Sequence, residues 1–206
     1  MFQFLKQTFR DFHYTGAVAP SSHWLARALT EPLAERGDEP IEILEAGPGT
    51  GALTEAIVRQ LRHGDRLTLC EINNQFVEHL ERRFRDDPRL SPWRGQTTIH
   101  HGAVEELGMQ PRFTHIVCGL PFNNFEQPIV AIIFDTLEAV LLPGGTVSFF
   151  EYAGIRRLKS PFVGQAERMR LRGVAAELES RIRVHQTACR LVALNAPPAW
   201  ARCLKY

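Results

Sequence analysis

The chain has 206 residues, with 24 Lys and Arg against 23 Asp and Glu, a formal net charge of +1 and 44% hydrophobic residues. This length suits one α/β domain with a short extension. The near-neutral balance excludes a protein that attracts nucleic acid through its overall field, so such contact would need local charge. The longest apolar stretch, 129–142, is interrupted by Asp135 and Glu138, which excludes a membrane-spanning helix. The first residues lack the pattern of a secretory signal, so we expect a cytoplasmic protein.

Cysteine and histidine spacing gives no sign of a metal site. The four cysteines are far apart and none forms a C-x-x-C pair; they are Cys70, Cys118, Cys189 and Cys203. We therefore predict buried free thiols in a reducing compartment. The adjacent pair His100 and His101 has no metal-ligand spacing around it, and we expect no metal.

Strand and helix patterns alternate along the chain. The predicted strands are 41–44, 66–72, 97–101, 114–120, 146–152, one within 181–194, and the tail 199–206. Helices are predicted at 52–61, directly after the glycine-rich turn at 45–51, at 73–85, and from about 128 to 141. A turn is predicted at 143–145. Such alternation implies right-handed crossovers and a parallel sheet. We predict an α/β fold with a mostly parallel seven-stranded sheet, helices on both faces and a C-terminal antiparallel hairpin.

A glycine-rich turn, E-A-G-P-G-T-G at 45–51, lies between the first strand and an amphipathic segment at 52–61. Glycines at alternate positions allow a tight turn and let a ligand approach backbone amides. The spacing is not that of the dinucleotide motif G-x-G-x-x-G. About twenty residues later, Glu71 ends the second strand, where a carboxylate can meet a ribose diol. A tight turn with no ligand would explain the glycines but not the position of Glu71.

This strand, turn and helix, with an acid in register, resemble the cofactor site of the class I S-adenosylmethionine-dependent methyltransferases. The resemblance implies their Rossmann-like fold and S-adenosyl-L-methionine as cofactor. In that family the first loop holds the amino-acid part of the cofactor, the acid holds the ribose and the third loop contacts the adenine. An acid common in the third loop is replaced here by Ala103, so we expect contact through nearby backbone amides. The residues carried over as cofactor-binding are Glu45, Gly47, Gly49, Thr50, Gly51, Glu71, Ile72, Ala103, Val104 and Gly119.

The loop after the fourth strand, G-L-P-F-N-N-F at 119–125, faces the methyl acceptor in the resembling family. Methyltransferases that act on nucleobase amines usually carry Asn or Asp at its first position, where the side chain accepts from the amine. Gly119 removes that acceptor. Leu120 and Phe122 keep a backbone carbonyl and an aromatic ring, which suits an amine that becomes positively charged. A strand end followed by an ordinary proline turn would give the same pattern.

Three segments, 16–22, 119–122 and 195–199, resemble the bacterial phospholipid N-methyltransferases, which convert phosphatidylethanolamine stepwise toward phosphatidylcholine. The resemblance covers nearly the whole chain and implies an enzyme that methylates the amine of phosphatidylethanolamine and its methylated derivatives. The wider group contains the ribosomal RNA adenine dimethyltransferases. Two alternatives therefore stay open: an rRNA adenine N6-methyltransferase-like enzyme, and a cofactor-binding scaffold that recruits a membrane or partner without turnover.

Two segments predict contact with an anionic membrane surface. If residues 1–13 are helical, an apolar stripe flanked by cations could lie in a bilayer interface, or could cap the domain core; it contains Phe2, Leu5, Phe9 and Phe12, with Lys6 and Arg10 beside it. A second segment could contact lipid phosphates, grip an RNA backbone or form a solvated helix face. Its cations are Arg156, Arg157, Lys159, Arg168, Arg170 and Arg172.

We divide the chain into N-terminal amphipathic and capping helices at 1–30 and a methyltransferase domain at 31–206. Methyl transfer needs an aligned, unprotonated amine. Tyr14 and Tyr152 are nearest by topology, and because a phenol is a poor base, we predict that they orient the amine and, with Phe122, hold the ammonium products. Packing roles for both tyrosines stay open. In this interpretation the partners are the phospholipid and the inner face of the cytoplasmic membrane, with no nucleic acid or metal, and the protein is monomeric in solution.

Overall fold

The computed structural model describes residues 21–108, 110–154 and 164–206. Its helices are α1 (His23–Leu29), α2 (Glu31–Ala34), α3 (Ala52–Val58), α4 (Asn74–Asp86), α5 (Gln127–Val140) and α6 (Gln165–His185). Its strands are β1 (Glu42–Ala46), β2 (Arg66–Glu71), β3 (Thr97–His101), β4 (Phe113–Cys118), β5 (Leu141–Tyr152), β6 (Gln186–Val192) and β7 (Ala199–Lys205). Short 3-10 helices cover Ser91–Gln96, Val104–Leu107 and Phe122–Asn124.

Over the described residues, the strands form one seven-stranded sheet in the order β3-β2-β1-β4-β5-β7-β6. The pairs β1–β2, β1–β4, β2–β3 and β4–β5 are parallel. β7 runs antiparallel to both β5 and β6. The predicted fold, including the C-terminal hairpin, is confirmed. The strand order changes direction between β1 and β4, and ligands of such sheets bind beyond the carboxyl ends of the strands at this point.

Helices cover both faces of the sheet. On one face, α1, α3 and α4 bury apolar side chains such as Leu29, Ile57 and Phe84 against the sheet. On the other, α5 and α6 bury Phe134 and Leu178. Each fully buried side chain of this size contributes about 1.5–3 kcal/mol relative to an exposed one. The two packed layers hold the strand ends, and hence the loops of the carboxyl edge, in place.

The boundary between α6 and β6 differs from the sequence prediction. The strand expected within 181–194 is present as β6, Gln186–Val192, but the helix before it, α6, was not among the predicted helices and occupies 181–185. Leu171, Val174 and Leu178 recur at helical spacing on α6 and are all buried, and Ile182 packs against the same core, so the packed face of the helix continues past residue 181.

The predicted turn at 143–145 lies inside β5. Phe113 pairs with Leu141 and His115 with Thr146, so residues 142–145 bulge out of the ladder between β4 and β5. The bulge is held from the other side, because the Gly144 N–H donates to the Tyr206 carbonyl at 2.7 Å. Tyr206, directly after β7, therefore fixes the entry to β5.

The cysteines follow the prediction in three of four positions. Cys70, Cys118 and Cys203 are free and buried, whereas Cys189 is free and exposed. The prediction is wrong for Cys189 because β6 is an edge strand, and its residues 186–191 are exposed. No helix in the described part of the chain is both long enough and apolar enough to cross a bilayer.

Candidate active site

The loops that leave the carboxyl ends of β1, β2, β3 and β4 meet at one edge of the sheet. Three loop glycines continue the hydrogen-bond ladder by donating to the neighbouring strand at 2.8–3.0 Å; the bonds run from Gly47 to Cys70, from Gly102 to Glu71 and from Gly119 to Ala46. The structure therefore brings the glycine turn, Glu71, the third loop and the loop at 119–125 together at one edge.

The glycine turn after β1 uses the left-handed backbone region repeatedly. Gly47, Gly49 and Gly51 have φ values of +73°, +55° and +86°, which side chains rarely adopt. A Cβ atom at Gly49 would have no heavy atom within 4 Å, so the turn is open to a ligand there. At Gly51 a Cβ atom would lie 2.7 Å from Arg83 Nη1. The third glycine therefore lets α4 approach the turn.

The Glu71 carboxylate joins the first loop to the second. It is 3% exposed, and its Oε2 accepts from the Gly49 N–H at 3.0 Å. Its Oε1 accepts from the N–H groups of Ile72 and Asn73, both at 2.9 Å. A carboxylate oxygen has two lone-pair sites, so Oε2 has room for one more donor beside Gly49. A ribose hydroxyl is such a donor, and Glu71 fits the role that the sequence assigned to it.

Glu45 is a fully buried carboxyl group at the end of β1. Its Oε2 accepts from Thr54 Oγ1 at 2.7 Å, whereas Oε1 has no hydrogen-bond partner among the described residues. Burial, opposed by the bond from Thr54 and supported by the nearby charge of Glu71, raises the pKa of Glu45 to about 8. Buried polar atoms are normally paired. An unpaired oxygen beside the glycine turn fits a site that a polar ligand completes.

The third loop places Ala103 and Val104 under the same edge, each 8% exposed. The next residue, Glu105, was not singled out from the sequence. Its Oε1 is buried without a partner in the described part of the chain, and burial raises the pKa of its carboxyl group. An acidic group is therefore present two residues after the position where Ala103 replaces one.

The first and fourth loops touch through their backbones. A Cβ atom at Gly119 would lie 2.6 Å from the Gly47 carbonyl oxygen, and one at Gly47 would lie 2.5 Å from Leu120 Cδ2. Real Cβ atoms essentially never approach backbone this closely. A side chain at Gly47 is disfavoured by its positive φ and would require the Leu120 side chain to move aside. A side chain at 119 would meet backbone, so an Asn or Asp there is incompatible with this arrangement unless the loops move apart.

Phe122 lies in the core instead of at the surface of the site. Its ring is 1% exposed and packs 4.9 Å from the ring of Phe134 and 5.8 Å from that of Phe149. The ring was expected to hold the acceptor amine, but its burial leaves it no open face for an ammonium group. The 3-10 turn at Phe122–Asn124 directs the ring inward, which residue spacing alone did not show.

Tyr152 lies at the carboxyl end of β5 and is half-buried, with its ring 5.2 Å from that of Phe150. Burial raises the pKa of its phenol, which makes it a still poorer base at neutral pH. Tyr14 lies outside the described residues, as do the apolar stripe at 1–13 and the cations at 156, 157 and 159. Among described side chains, no cluster of three or more His, Cys, Asp or Glu could hold a metal ion.

Three residues that shape the site carry no sequence signal of their role. Thr54 holds Glu45, and Arg83 donates from Nη1 to the Thr50 carbonyl at 3.1 Å. Arg170 donates to carbonyls of the loop at 119–125, although it was grouped with the cations of the basic segment. Those contacts direct its guanidinium into the protein, so Arg170 is not a surface cation. Arg172, by contrast, is exposed.

The comparisons with known proteins agree with this geometry. The methyltransferase domain family matches residues 43–145. The ornithine lipid N-methyltransferase of Singulisphaera acidiphila is 26% identical over 145 residues, which are 70% of this chain and 74% of that protein. The ribosomal RNA small subunit methyltransferase A of Geobacter metallireducens is 30% identical over 123 residues, 56% of this chain but only 40% of that protein. The chain thus spans less than half of this ribosomal RNA relative.

Solved structures share the fold at low sequence identity. The O-methyltransferase of Bacillus cereus, in complex with SAH, has a TM-score of 0.65 at 12% identity, covering 98% of this chain and 90% of that chain. TomG, an O-methyltransferase of Streptomyces achromogenes in complex with SAM, has a TM-score of 0.64 at 16% identity, covering 99% and 88%. The chain belongs to the methyltransferase domain family and is a class I methyltransferase with S-adenosyl-L-methionine as its cofactor.

Proposed function

We propose that this methyltransferase transfers methyl groups to the amine of phosphatidylethanolamine and its methylated derivatives, toward phosphatidylcholine. The geometric observation that carries the proposal is the backbone contact between Gly119 and Gly47. It leaves no room for the Asn or Asp that base-modifying relatives use to anchor a planar exocyclic amine. A flexible alkyl amine needs no such planar clamp. The headgroup of phosphatidylethanolamine carries an amine of this kind.

The similarity to an ornithine lipid N-methyltransferase supports a lipid acceptor, because the alignment covers 74% of that protein. Ornithine and ethanolamine headgroups both carry an alkyl amine. Enzymes for the two acceptors therefore face the same chemical problem, which is to align a flexible, membrane-anchored amine. An ornithine lipid is accordingly the second lipid to test.

The cofactor supplies a methyl group on a positively charged sulfur. The residues that would hold it are the glycine turn at 45–51, Glu71 through its free lone pair, and the third loop near Ala103. The acceptor loop at 119–125 would align the amine, with the Leu120 carbonyl accepting its hydrogen bond. The phenol of Tyr152 stays protonated at neutral pH because burial raises its pKa, so its hydroxyl would orient the amine and not deprotonate it.

Membrane contact is part of the proposal. A substrate that stays in the bilayer requires the enzyme to reach the headgroup, and the apolar stripe and cations at 1–13 are suited to an anionic interface. Arg172, a cation of the basic segment, is exposed on α6. Each such cation near an anionic membrane contributes about 1 kcal/mol of binding. We place the protein at the inner face of the cytoplasmic membrane.

An rRNA adenine methyltransferase activity is the second candidate. It is favoured by several ribosomal RNA small subunit methyltransferase A proteins that are 30–34% identical over parts of the chain. The contact between Gly119 and Gly47 opposes it, because it excludes the usual anchor of the adenine amine. A cofactor-binding scaffold without turnover is a third possibility that the same assay separates.

The decisive assay uses S-adenosylmethionine labelled on the methyl group and anionic liposomes that contain phosphatidylethanolamine, its monomethyl derivative or an ornithine lipid. Parallel reactions contain ribosomal RNA. We expect label in the organic extract of the phosphatidylethanolamine reactions. Label confined to ornithine lipid would show that ornithine lipid, and not phosphatidylethanolamine, is the acceptor. Label in RNA would favour the rRNA adenine methyltransferase. Absence of label from every acceptor, with cofactor binding intact, would favour the scaffold.

Flotation with the same liposomes tests the membrane contact separately. We expect the full chain to float with anionic vesicles and a variant that lacks residues 1–13 to stay at the bottom. Equal flotation of both proteins would show that the N-terminal stripe is not the membrane contact.

A further inference from the structure

Arg170 on α6 reaches a loop that lies about fifty residues earlier in the chain. Its Nη1 donates to the Phe125 carbonyl at 2.6 Å, and its Nη2 donates to the Asn123 carbonyl at 2.9 Å. We propose that Arg170 is a positioning residue that holds the acceptor loop in the shape that presents the Leu120 carbonyl to the acceptor amine. The inference rests on the function proposed above for that loop.

The acceptor loop has little internal structure of its own. Its 3-10 turn has two backbone bonds, from Asn124 to Pro121 at 3.0 Å and from Phe125 to Phe122 at 3.1 Å. Such short turns have weaker hydrogen-bond geometry than an α-helix. Arg170 adds two charge-assisted bonds to neighbouring carbonyls, and these are the stronger kind. The turn and Arg170 together bind four of the five carbonyl groups at 121–125.

The guanidinium group is itself held on its other side. Glu167, one turn earlier on α6, accepts from Arg170 Nε at 2.7 Å and from Nη2 at 2.6 Å. The Arg170 side chain is 14% exposed, so these charged bonds are only partly screened by solvent. A planar fork bound on both sides has little freedom to rotate. The direction of the two loop carbonyls is therefore set by α6.

Packing between α6 and α5 brings Arg170 within reach of the loop. A Cβ atom at Gly173, about one turn after Arg170, would lie 3.2 Å from Gln127 Cβ at the start of α5. The absence of a side chain at Gly173 therefore allows this close approach. Val174, the next residue, is 1% exposed and belongs to the same buried cluster as Phe122. The helix that carries Arg170 and the loop that it binds share one packed core.

The test compares Arg170→Ala and Arg170→Lys with Arg183→Ala, which removes an exposed arginine of the same helix. A lysine keeps the charge but cannot bridge two carbonyls with one fixed fork. Hydrogen–deuterium exchange of a peptide that covers 119–126 reports on the loop directly. We expect exchange of the Asn124 and Phe125 amides to be roughly tenfold faster in Arg170→Ala and unchanged in Arg183→Ala.

Kinetics separate positioning from general stability. In Arg170→Ala we expect kcat/KM for the lipid acceptor to fall on the order of 10²-fold, with the Kd of S-adenosylhomocysteine within about twofold of the parent. The kcat/KM of Arg170→Lys should lie between those of the parent and of Arg170→Ala. Added guanidinium should restore part of the transfer rate in Arg170→Ala.

Unchanged exchange at 119–126 in Arg170→Ala would overturn the proposal. A parallel loss of cofactor affinity and transfer would also overturn it, because that pattern reflects a general loss of structure. If the parent protein methylates no lipid, the proposed function fails, and the exchange measurement still decides whether Arg170 holds the loop.

Discussion

The cofactor side and the acceptor side of this site are held in different ways. On the cofactor side, Glu71 bonds to the backbone of residues 49, 72 and 73, all within about twenty residues of sequence. On the acceptor side, the loop at 119–125 depends on Arg170 from a distant helix and on the aromatic core around Phe122. The glycine turn and Glu71 form a compact local motif, whereas the loop at 119–125 takes its shape from contacts with elements distant in sequence.

The largest expected effect is on cofactor affinity and comes from a change on the cofactor side of the site. Glu71→Ala removes a charged acceptor from three backbone N–H groups, and each such bond contributes about 1.5–3 kcal/mol. We expect cofactor affinity to fall at least on the order of 10²-fold, as measured by titration calorimetry with S-adenosylhomocysteine. Glu81→Ala, an exposed acid on α4, is the matched control and should bind like the parent. Equal affinities for the two variants would show that Glu71 does not hold the ribose.

Gly119→Ala is expected to disturb the cofactor side and the acceptor side together, because the new Cβ atom would lie 2.6 Å from the Gly47 carbonyl oxygen. Overpacking of this kind costs roughly 1–3 kcal/mol. In a chain of this size we expect the Tm to fall by about 2–10 °C, with loss of both cofactor affinity and transfer.

The control for this variant is Gly95→Ala, which places a methyl group in open space. Scanning calorimetry should give it a Tm close to that of the parent. A Gly119→Ala protein with parental Tm and affinity would mean that the two loops separate at no cost, and the argument against an Asn or Asp at 119 would fail.

Phe122→Leu should loosen the packing on the acceptor side of the site and leave the cofactor side unchanged. The ring packs on Phe134 and Phe149, and its loss is expected to lower the free energy of unfolding by about 1–2 kcal/mol. Urea unfolding measures this change, and cofactor affinity should stay within about twofold of the parent. Trp24→Leu, on an exposed side chain of α1, should change stability by less than about 0.5 kcal/mol.

If the Phe122 ring contacted the acceptor amine instead, transfer would fall in Phe122→Leu while the free energy of unfolding stayed unchanged. The comparison of stability with transfer therefore decides between a core role and a binding role for this ring.

The smallest effect concerns Glu45 and pH. Its pKa is about 8 in the folded protein, above the ordinary value near 4.5, so the folded state binds the extra proton between these values. Stability from Glu45 is therefore complete at low pH and is lost as pH rises toward 8, by at most about 1.4 kcal/mol per unit. Between pH 6 and 7 we expect the parent to lose about 1 kcal/mol relative to Glu45→Gln in urea unfolding. Parallel stability curves for the two proteins would show that Glu45 ionises normally.

Local signals in the sequence were enough for the sheet and the cofactor loops. The alternation of apolar runs and helical patterns predicted the seven strands, and the glycine turn with Glu71 in register predicted the cofactor site. These features depend on residues close in sequence, because a turn, a strand end and its hydrogen bonds involve neighbouring backbone. The helix α6 was not among the predicted helices, because its apolar face is buried against α5, an element distant in sequence.

The sequence by itself determined that this chain folds as a class I methyltransferase and where its cofactor loops lie. Tertiary structure alone decided that Gly119 touches the Gly47 carbonyl, that the Phe122 ring faces the core, and that Arg170 binds the acceptor loop instead of the surface. Each of these facts depends on groups separated by 45 to 72 residues or on which side of a turn a side chain leaves. The spacing of apolar residues predicts which face of a helix or strand is buried. Only the packed structure shows which distant element lies against that face.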